Sequence, residues 1–314
     1  AIMHHIQDAN EFQIWGDIVL PLPVMVRKSD GSWAVGWSSD FEESKGGKDG
    51  LVLSHGKIVN ADTHDTAGLM DFSITKNVFM MILSILILAV VFISMKNAYA
   101  KRGVTSAPKG MQSFLEPIVA FMIDDVAKPN LGKQYEKFLP YILSVFFFIL
   151  INNLLGLVPF FPGSANLTGN IAVTLTLALI TFVITNVSGT KSYWRHVLAM
   201  PGLPKFLLVI ITPIEIIGLF TKPFALMIRL FANMTAGHVI VLSLVSMIFI
   251  LGGNGESIGG AVGGTLVAVP FVLFMNALEL LVAFIQAYIF ALLSAIFIGM
   301  ALEEDHVEEE IVKN

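Results

Sequence analysis

Two apolar runs near the carboxyl end, Phe206 to Leu251 and about Thr265 to Leu302, hold 46 and 38 residues, whereas an upright membrane-crossing helix needs about 20. As helices they would be roughly 69 Å and 57 Å long at 1.5 Å rise per residue. They must therefore tilt steeply, bend, or break at Pro213, Pro223 and Pro270. Four shorter crossings would need two buried turns, and no polar turn signal splits either run. The pattern predicts two long, tilted helices joined by the glycine-rich stretch Gly252 to Gly264, an antiparallel hairpin in the membrane. The rest of the composition agrees: charged residues make up 14% of the 314 and the mean hydropathy is +0.76, where soluble domains carry about 25% charged residues.

Upstream of the hairpin the apolar segments are shorter. Ile74 to Met95 is long enough for one span, and further spans are expected at about 138–160 and 170–187, which gives about five crossings with those at 206–251 and 265–302. Between the first and second lies a basic connector holding Lys96, Lys101, Arg102, Lys109, Lys128, Lys133 and Lys137. Within it, over about 110–127, Phe114, Ile118, Phe121, Met122 and Val126 recur at helical spacing with Glu116, Asp124 and Asp125 elsewhere around the turn, as expected of an amphipathic helix in the interface or packed on the protein itself. The expected fold class is thus an all-α polytopic membrane protein, 74–314, with an acidic tail at 303–314.

Residues 1–73 precede the spans and are polar, with eleven Asp/Glu against five Lys/Arg. A turn signal at Ser29-Asp30-Gly31-Ser32 between Val24-Met25-Val26 and Trp33-Ala34-Val35 predicts a β-hairpin in a small extramembrane β-like region. Its histidines, His4, His5, His55 and His64, lack metal-ligand spacing. The chain starts at Ala1, which removal of a leader or trimming would explain. With the amino end outside, the basic connector, the Lys191 to Lys205 loop and the carboxyl end lie inside, and the loops at 161–169 and 252–264 carry no Lys or Arg, as the positive-inside rule expects.

The ionisable residues of the two long runs are few. They are Glu215, Lys222, Arg229 and His238 on the first and Glu279 on the second, with Gln286 seven residues further on. A guanidinium cannot shed its charge, and a cation at mid-membrane depth costs about 2.5–3.5 kcal/mol on insertion scales, so Arg229 must face protein or water and is a functional candidate. Glu215, Lys222 and Arg229 recur every seven residues and share one helix face. His238, nine residues past Arg229, is about half a turn out of phase. In an antiparallel hairpin, residue numbers at one level add to a constant. Arg229 with Gln286 gives 515 and His238 with Glu279 gives 517, and half of either falls in the glycine-rich linker. Spacing alone therefore pairs Arg229 with Gln286 and His238 with Glu279. A His/Glu pair suits proton relay, with Glu215 on the other side of a fixed positive barrier. Such a device conducts only if something mobile carries the proton past Arg229.

The stretches Arg229-Leu230-Phe231-Ala232-Asn233-Met234-Thr235-Ala236-Gly237-His238, Glu279 to Phe290 and Asn153-Leu154-Leu155-Gly156-Leu157-Val158-Pro159 resemble the a subunit of F-type ATP synthases over residues of about 75–305. The resemblance implies that Arg229 faces the carboxylates of a rotating c-subunit ring, with Gln286 and Asn233 helping to position it. It implies that His238 and Glu279 line a half-channel to the outside and that Glu215 lines one to the inside. Lys222 belongs to the inner one or snorkels to the interface. Some members carry Glu and His exchanged at the positions of His238 and Glu279, and some have an acidic residue where Gly156 stands, so no path role follows for that glycine. Residues 1–73 lie outside the resemblance. Implied partners are the c-ring, b-type peripheral stalk subunits, other ATP synthase subunits and the lipid bilayer, in a bacterial inner membrane with the amino terminus periplasmic and the carboxyl terminus cytoplasmic. Protons are the expected ion, because the relay residues are titratable.

Other classes fit less well. A stand-alone channel or secondary transporter would predict inverted repeats or paired broken helices, and none is evident. A scaffold without ion traffic would tolerate a neutral residue at 229. No nucleotide-binding glycine loop, nucleophile elbow or HExxH motif supports an enzyme acting by itself, no cofactor is expected, a basic nucleic-acid footprint is absent, and with no cysteine there is neither thiolate chemistry nor a disulfide.

Overall fold

The computed structural model describes residues 8–15, 18–54, 56–103, 110–158, 163, 165–200, 204–253 and 257–303. His4, His5, His55, Pro159, residues 161, 162 and 164 of the expected 161–169 loop, and the tail beyond Glu303 lie outside the described residues. The chain divides into two compact units. One comprises Ala1–Ile87, Ile151–Asn170 and Met234–Ala283, the other Leu88–Leu150, Ile171–Asn233 and Phe284–Asn314.

In the first unit the predicted hairpin forms between β3 (Pro23–Arg27) and β4 (Trp33–Trp37), with Met25 opposite Val35. It turns where Gly31 takes φ 85°, a conformation that glycine adopts without strain. Asp30 Oδ1 accepts hydrogen bonds from the Ser32 hydroxyl and backbone N–H, which hold its carboxyl below the ordinary carboxylate range. Two antiparallel pairs flank it, β1 (Glu11–Trp15) with β2 (Ile18–Pro21) and β5 (Leu51–Ser54) with β6 (Lys57–Asn60). The short β7 (Met70–Asp71) completes a three-stranded sheet in the order β4-β3-β7. Strand alternation points Val24, Val26 and Ala34 inward, where they are fully buried with Phe41, Leu51 and Ile58.

This β region is fastened to the start of α1 (Lys76–Arg102). The Lys76 N–H donates to Ala9 O at 2.9 Å, the Asn77 N–H to Asp8 Oδ1 at 3.2 Å, and Phe12 meets Phe79 edge-on at 6.0 Å between ring centroids. The outward side chains of α1, such as Ile82, Ile85 and Leu86, are exposed aliphatics, suited to lipid.

The second unit has a larger core. Around it stand α2 (Met111–Phe121), a π-helical turn Met122–Ala127, the single turn α3 (Lys128–Leu131), α4 (Tyr135–Leu157) and α5 (Ile171–Val187), while α6 (Lys191–Leu198) packs Tyr193 and Val197 against Ala301 and Leu219 in a smaller cluster. The 110–127 segment packs on the protein itself with most of the expected stripe: Met122 and Val126 are buried, Ile118 packs against the core and the Phe121 ring lies 5.5 Å from that of Tyr288. Leu115, Met122 and Val126 enter the core and Gln112 is buried, while Phe114 stays 66% exposed. The apolar side of this helix is wide, and the core takes the Leu115/Met122 edge of it. Tyr141 Oη lies 2.6 Å from Thr181 Oγ1, which lies 3.4 Å from Ser294 Oγ, so one hydroxyl chain ties three helices together.

The two long runs are continuous helices, α7 (Lys205–Leu251) and α8 (Ile258–Leu302), with Pro213, Pro223 and Pro270 inside them. Within the first unit they approach closely at glycines. A Cβ added to Gly264 would stand 3.2 Å from Ile248 Cα, and one added to Gly252 would stand 3.0 Å from Ala261 Cβ. Within the second, Gly299 lets the Asn130 carbonyl come against α8. Four helical tracts, Lys76–Lys101, Met111–Leu157, Phe206–Leu251 and Ile258–Leu302, are long and apolar enough to cross a membrane, and α5 with α6, bent by 105°, makes a fifth if taken as one span. The protein is an all-α polytopic membrane protein with a small strand-bearing region at its amino end.

Candidate functional site

The phase of α7 is set by its buried side chains. Leu226, Met227 and Leu230 pack into the core that also holds Ala287, Phe290 and Ala291 of α8. That phase turns Arg229 outward, and Asn233, four residues on, is exposed on the same face. Among the described residues no ion pair or hydrogen bond engages the Arg229 guanidinium. Gln286 is 5% exposed and shares the core-facing side of α8 with Ala287 and Phe290. The structure thus brings the neighbours of Arg229 and Gln286 into one core but does not join the two side chains, or Arg229 and Asn233, by a hydrogen bond.

Two half-buried groups precede Arg229 on α7. Glu215 lies within electrostatic reach of Tyr193 on α6. The Lys222 ammonium sits 5.6 Å from the centroid of the Phe297 ring and lines a cleft with Thr185, Asn186, Tyr193 and Leu219. Among the described residues neither makes an ion pair. Tyr193 and Asn186 were not legible as part of this patch. The visible signal was only Thr190 capping α6, whose hydroxyl accepts from the Tyr193 N–H at 3.2 Å and so fixes where that ring stands.

In the first unit the structure brings His238 and Glu279 to neighbouring levels of the hairpin. The Glu279 side chain lies over Gly237, where an added Cβ would collide with Oε1 and stand 3.0 Å from Cδ and 3.2 Å from Cγ. His238 faces α4, its Nε2 3.7 Å from where a Cβ on Gly156 would be. Both groups are half-buried, and His238 Nε2 and Glu279 Oε1 are buried atoms without a hydrogen-bond partner, as is Thr235 Oγ1, three residues before the histidine. An unpaired buried polar atom costs about 1–3 kcal/mol, so this place favours a water or a polar group that can hydrogen-bond with it.

Beside it stands a polar tie that spacing did not reveal. Asn153 is fully buried on α4, donates from Nδ2 to Ala283 O at 3.1 Å, and accepts from the Thr168 hydroxyl at 2.7 Å. Through it α4, α8 and the segment after α4 are held in one register. The sequence showed an intramembrane amide but not its partners. Among the described residues no group of three His, Asp or Glu side chains is placed to hold a metal ion.

The chain matches the ATP synthase A chain family over residues 78–299, and a second family, a domain of unknown function, over residues 1–78. It is similar to ATP synthase subunit a 2 of Chlorobaculum tepidum, 52% identical over 236 residues, which are 74% of this chain and 64% of that protein. It is similar to ATP synthase subunit a of Chlorobium phaeobacteroides (strain DSM 266 / SMG 266 / 2430), 42% identical over 318 residues and covering 99% of this chain and 77% of that one. With ATP synthase subunit a of Myxococcus xanthus the identity is 43% over 252 residues, 77% of each chain. The matched region thus spans just under two thirds of the Chlorobaculum relative's length.

Proposed function

This chain belongs to the ATP synthase A chain family, and from that premise we propose that it is the proton-translocating stator subunit in the membrane sector of an F-type ATP synthase. Its partners are a ring of c subunits, b-type peripheral stalk subunits and the other subunits of the complex. The observation that carries the reading is Arg229, a permanent charge on the outward face of a membrane helix, with titratable groups on either side of it along the chain. An unpartnered guanidinium there is suited to meet a carboxylate brought by another protein.

A carboxylate beside Arg has its pKa lowered by about 1–3 units. Each arriving c-subunit carboxyl would release its proton at Arg229 and move on once reprotonated from the other side. His238 and Glu279 form the outer access and Glu215 the inner one, with Lys222 flanking it. Because Arg229 cannot deprotonate, protons do not pass between the two accesses except on the ring. Asn233, exposed on the same face, is placed to bond an incoming carboxylate, whereas Gln286 acts from the core side by fixing α8 against α7. The distribution of Lys and Arg supports an amino terminus outside and a carboxyl terminus inside, and the bacterial relatives support an inner-membrane location.

The test is ATP-driven proton pumping and passive proton leak in vesicles bearing the assembled complex with Arg229→Ala. Lost pumping with normal assembly and a raised leak is the expected result. Unchanged pumping and leak would refute the assignment and favour a scaffold or an independent transporter.

A further inference from the structure

The three-stranded sheet of the amino-terminal region departs from the usual pattern of apolar side chains inward and polar ones outward. Its inner face, Val24, Val26 and Ala34, is buried, yet the outer face is also apolar: Met25 is 44% exposed, Trp33 51%, Val35 52%, Trp37 55%, Met70 60% and Phe72 59%. The register makes this one surface. Met25 pairs with Val35, Arg27 with Trp33 on one side and Met70 on the other, and Pro23 with Trp37. The Phe72 N–H donates to Met25 O at 2.9 Å, and the Phe72 ring packs against Trp33 at 5.8 Å between centroids. Contiguous exposed apolar patches of this kind mark interaction surfaces.

The occupant follows from where the sheet is fastened. Phe72 lies four residues before Lys76, where the α1 span begins, so at most about 14 Å of chain separates the patch from the membrane boundary. That distance is not slack. The Ile74 N–H donates to Pro23 O at 3.0 Å and the Met25 N–H to Ser73 Oγ at 3.1 Å, which lock the sheet to the segment leading into α1. Charge sorts the same way. Residues 1–73 hold eleven carboxylates, none of them among the eight outward positions Pro23, Met25, Arg27, Trp33, Val35, Trp37, Met70 and Phe72, whose one charged member is cationic. Trp rings with an apolar body and an N–H partition to the boundary between headgroups and acyl chains, and cations are drawn to anionic headgroups.

We propose that the outward face of the β4-β3-β7 sheet rests on the lipid bilayer, with Trp33, Trp37 and Phe72 in the headgroup region of the leaflet beside the start of α1. The region thereby clamps the first span at a fixed depth, a role independent of ion transfer.

The chain has no cysteine, so a single Val35→Cys carries one environment-sensitive fluorophore on the full-length protein in liposomes. Blue-shifted emission, quenched by lipids brominated near the headgroup and shielded from iodide, is expected. In a second measurement, Trp15→Phe with Trp194→Phe leaves Trp33 and Trp37 as the only tryptophans, and their emission should fall with the same brominated lipids. Quenching by iodide but not by brominated lipid would overturn the proposal by showing a face open to water. Protection from both quenchers would overturn it in favour of a protein partner or a second copy of the chain.

Discussion

Gly237→Ala probes the contact that links the two long helices at the outer candidate residues. A Cβ there collides with Glu279 Oε1, but it also stands 3.0 Å from Cδ and 3.2 Å from Cγ. Rotating the carboxylate clears the first contact only. The Cδ and Cγ contacts require the Glu279 stem, or α7 and α8 themselves, to give by a few tenths of an ångström as well. Overpacking of this kind costs about 1–3 kcal/mol, which, if it falls on the step that Glu279 serves, slows that step by about 5–150-fold at 1.36 kcal/mol per factor of ten. The assay is ATP-driven acidification of inverted vesicles, normalised to the amount of assembled complex. Glu279→Asp, shorter by one methylene, draws the carboxylate away from the new methyl. The double variant should therefore recover activity relative to Gly237→Ala, a non-additive result expected of neighbours. Wild-type pumping in Gly237→Ala, or losses that simply add in the double variant, would refute the reasoning.

Other substitutions test the supports of the fold. Asn153→Ala strips the Thr168 hydroxyl and the Ala283 carbonyl of their buried partner, at about 1–3 kcal/mol for each group left unsatisfied. The melting temperature of the detergent-solubilised protein should drop, and an unchanged value would show that the tie is dispensable. Gly299→Ala sets a methyl against the Asn130 carbonyl, so amide exchange should quicken around 122–131 while exchange in the β region stays as it was. Asp65 accepts hydrogen bonds from the Thr63 hydroxyl and the Asn60 amide, which hold its carboxyl below the ordinary range. Because the folded value is the depressed one, its stabilisation is fully present above the ordinary carboxylate value of about 3.9 and fades as the pH falls through the folded value. Protection of the amides at 60–67, taken relative to their intrinsic exchange rates at each pH, should fall on acidification, and Asp65→Asn should flatten that dependence.

What the sequence disclosed was whatever depends on length and period. The long helices α7 and α8 follow from unbroken apolar runs, and the β3–β4 hairpin from a turn signal between alternating strands. The level of Glu279 came within one residue, since it lies over Gly237 rather than directly opposite His238. Hairpin arithmetic treats helices as straight and ignores the local phase of each side chain. Phase also explains Arg229 and Gln286. Equal height does not make two side chains meet when one points outward and the other into the core. Partners of buried polar groups were invisible for another reason. Asn153 bonds to a backbone carbonyl 130 positions away, and every residue type offers a carbonyl. The outward apolar face of the sheet could have been noticed from Trp33, Val35 and Trp37 at alternate positions, but alternation alone does not say which face is covered.

Leu226, Met227 and Leu230 fix the phase of α7, and with it Arg229 points away from the core they enter. In biogenesis this makes the free subunit an incomplete object. A guanidinium presented to acyl chains carries a penalty of about 2.5–3.5 kcal/mol on insertion scales, and a neighbour that supplies a carboxylate or a wet interface removes it. On the assignment proposed above, membrane insertion and subunit pairing are coupled: the chain without its partner is the less stable species, and the proposed contact of Arg229 with the partner removes the cost.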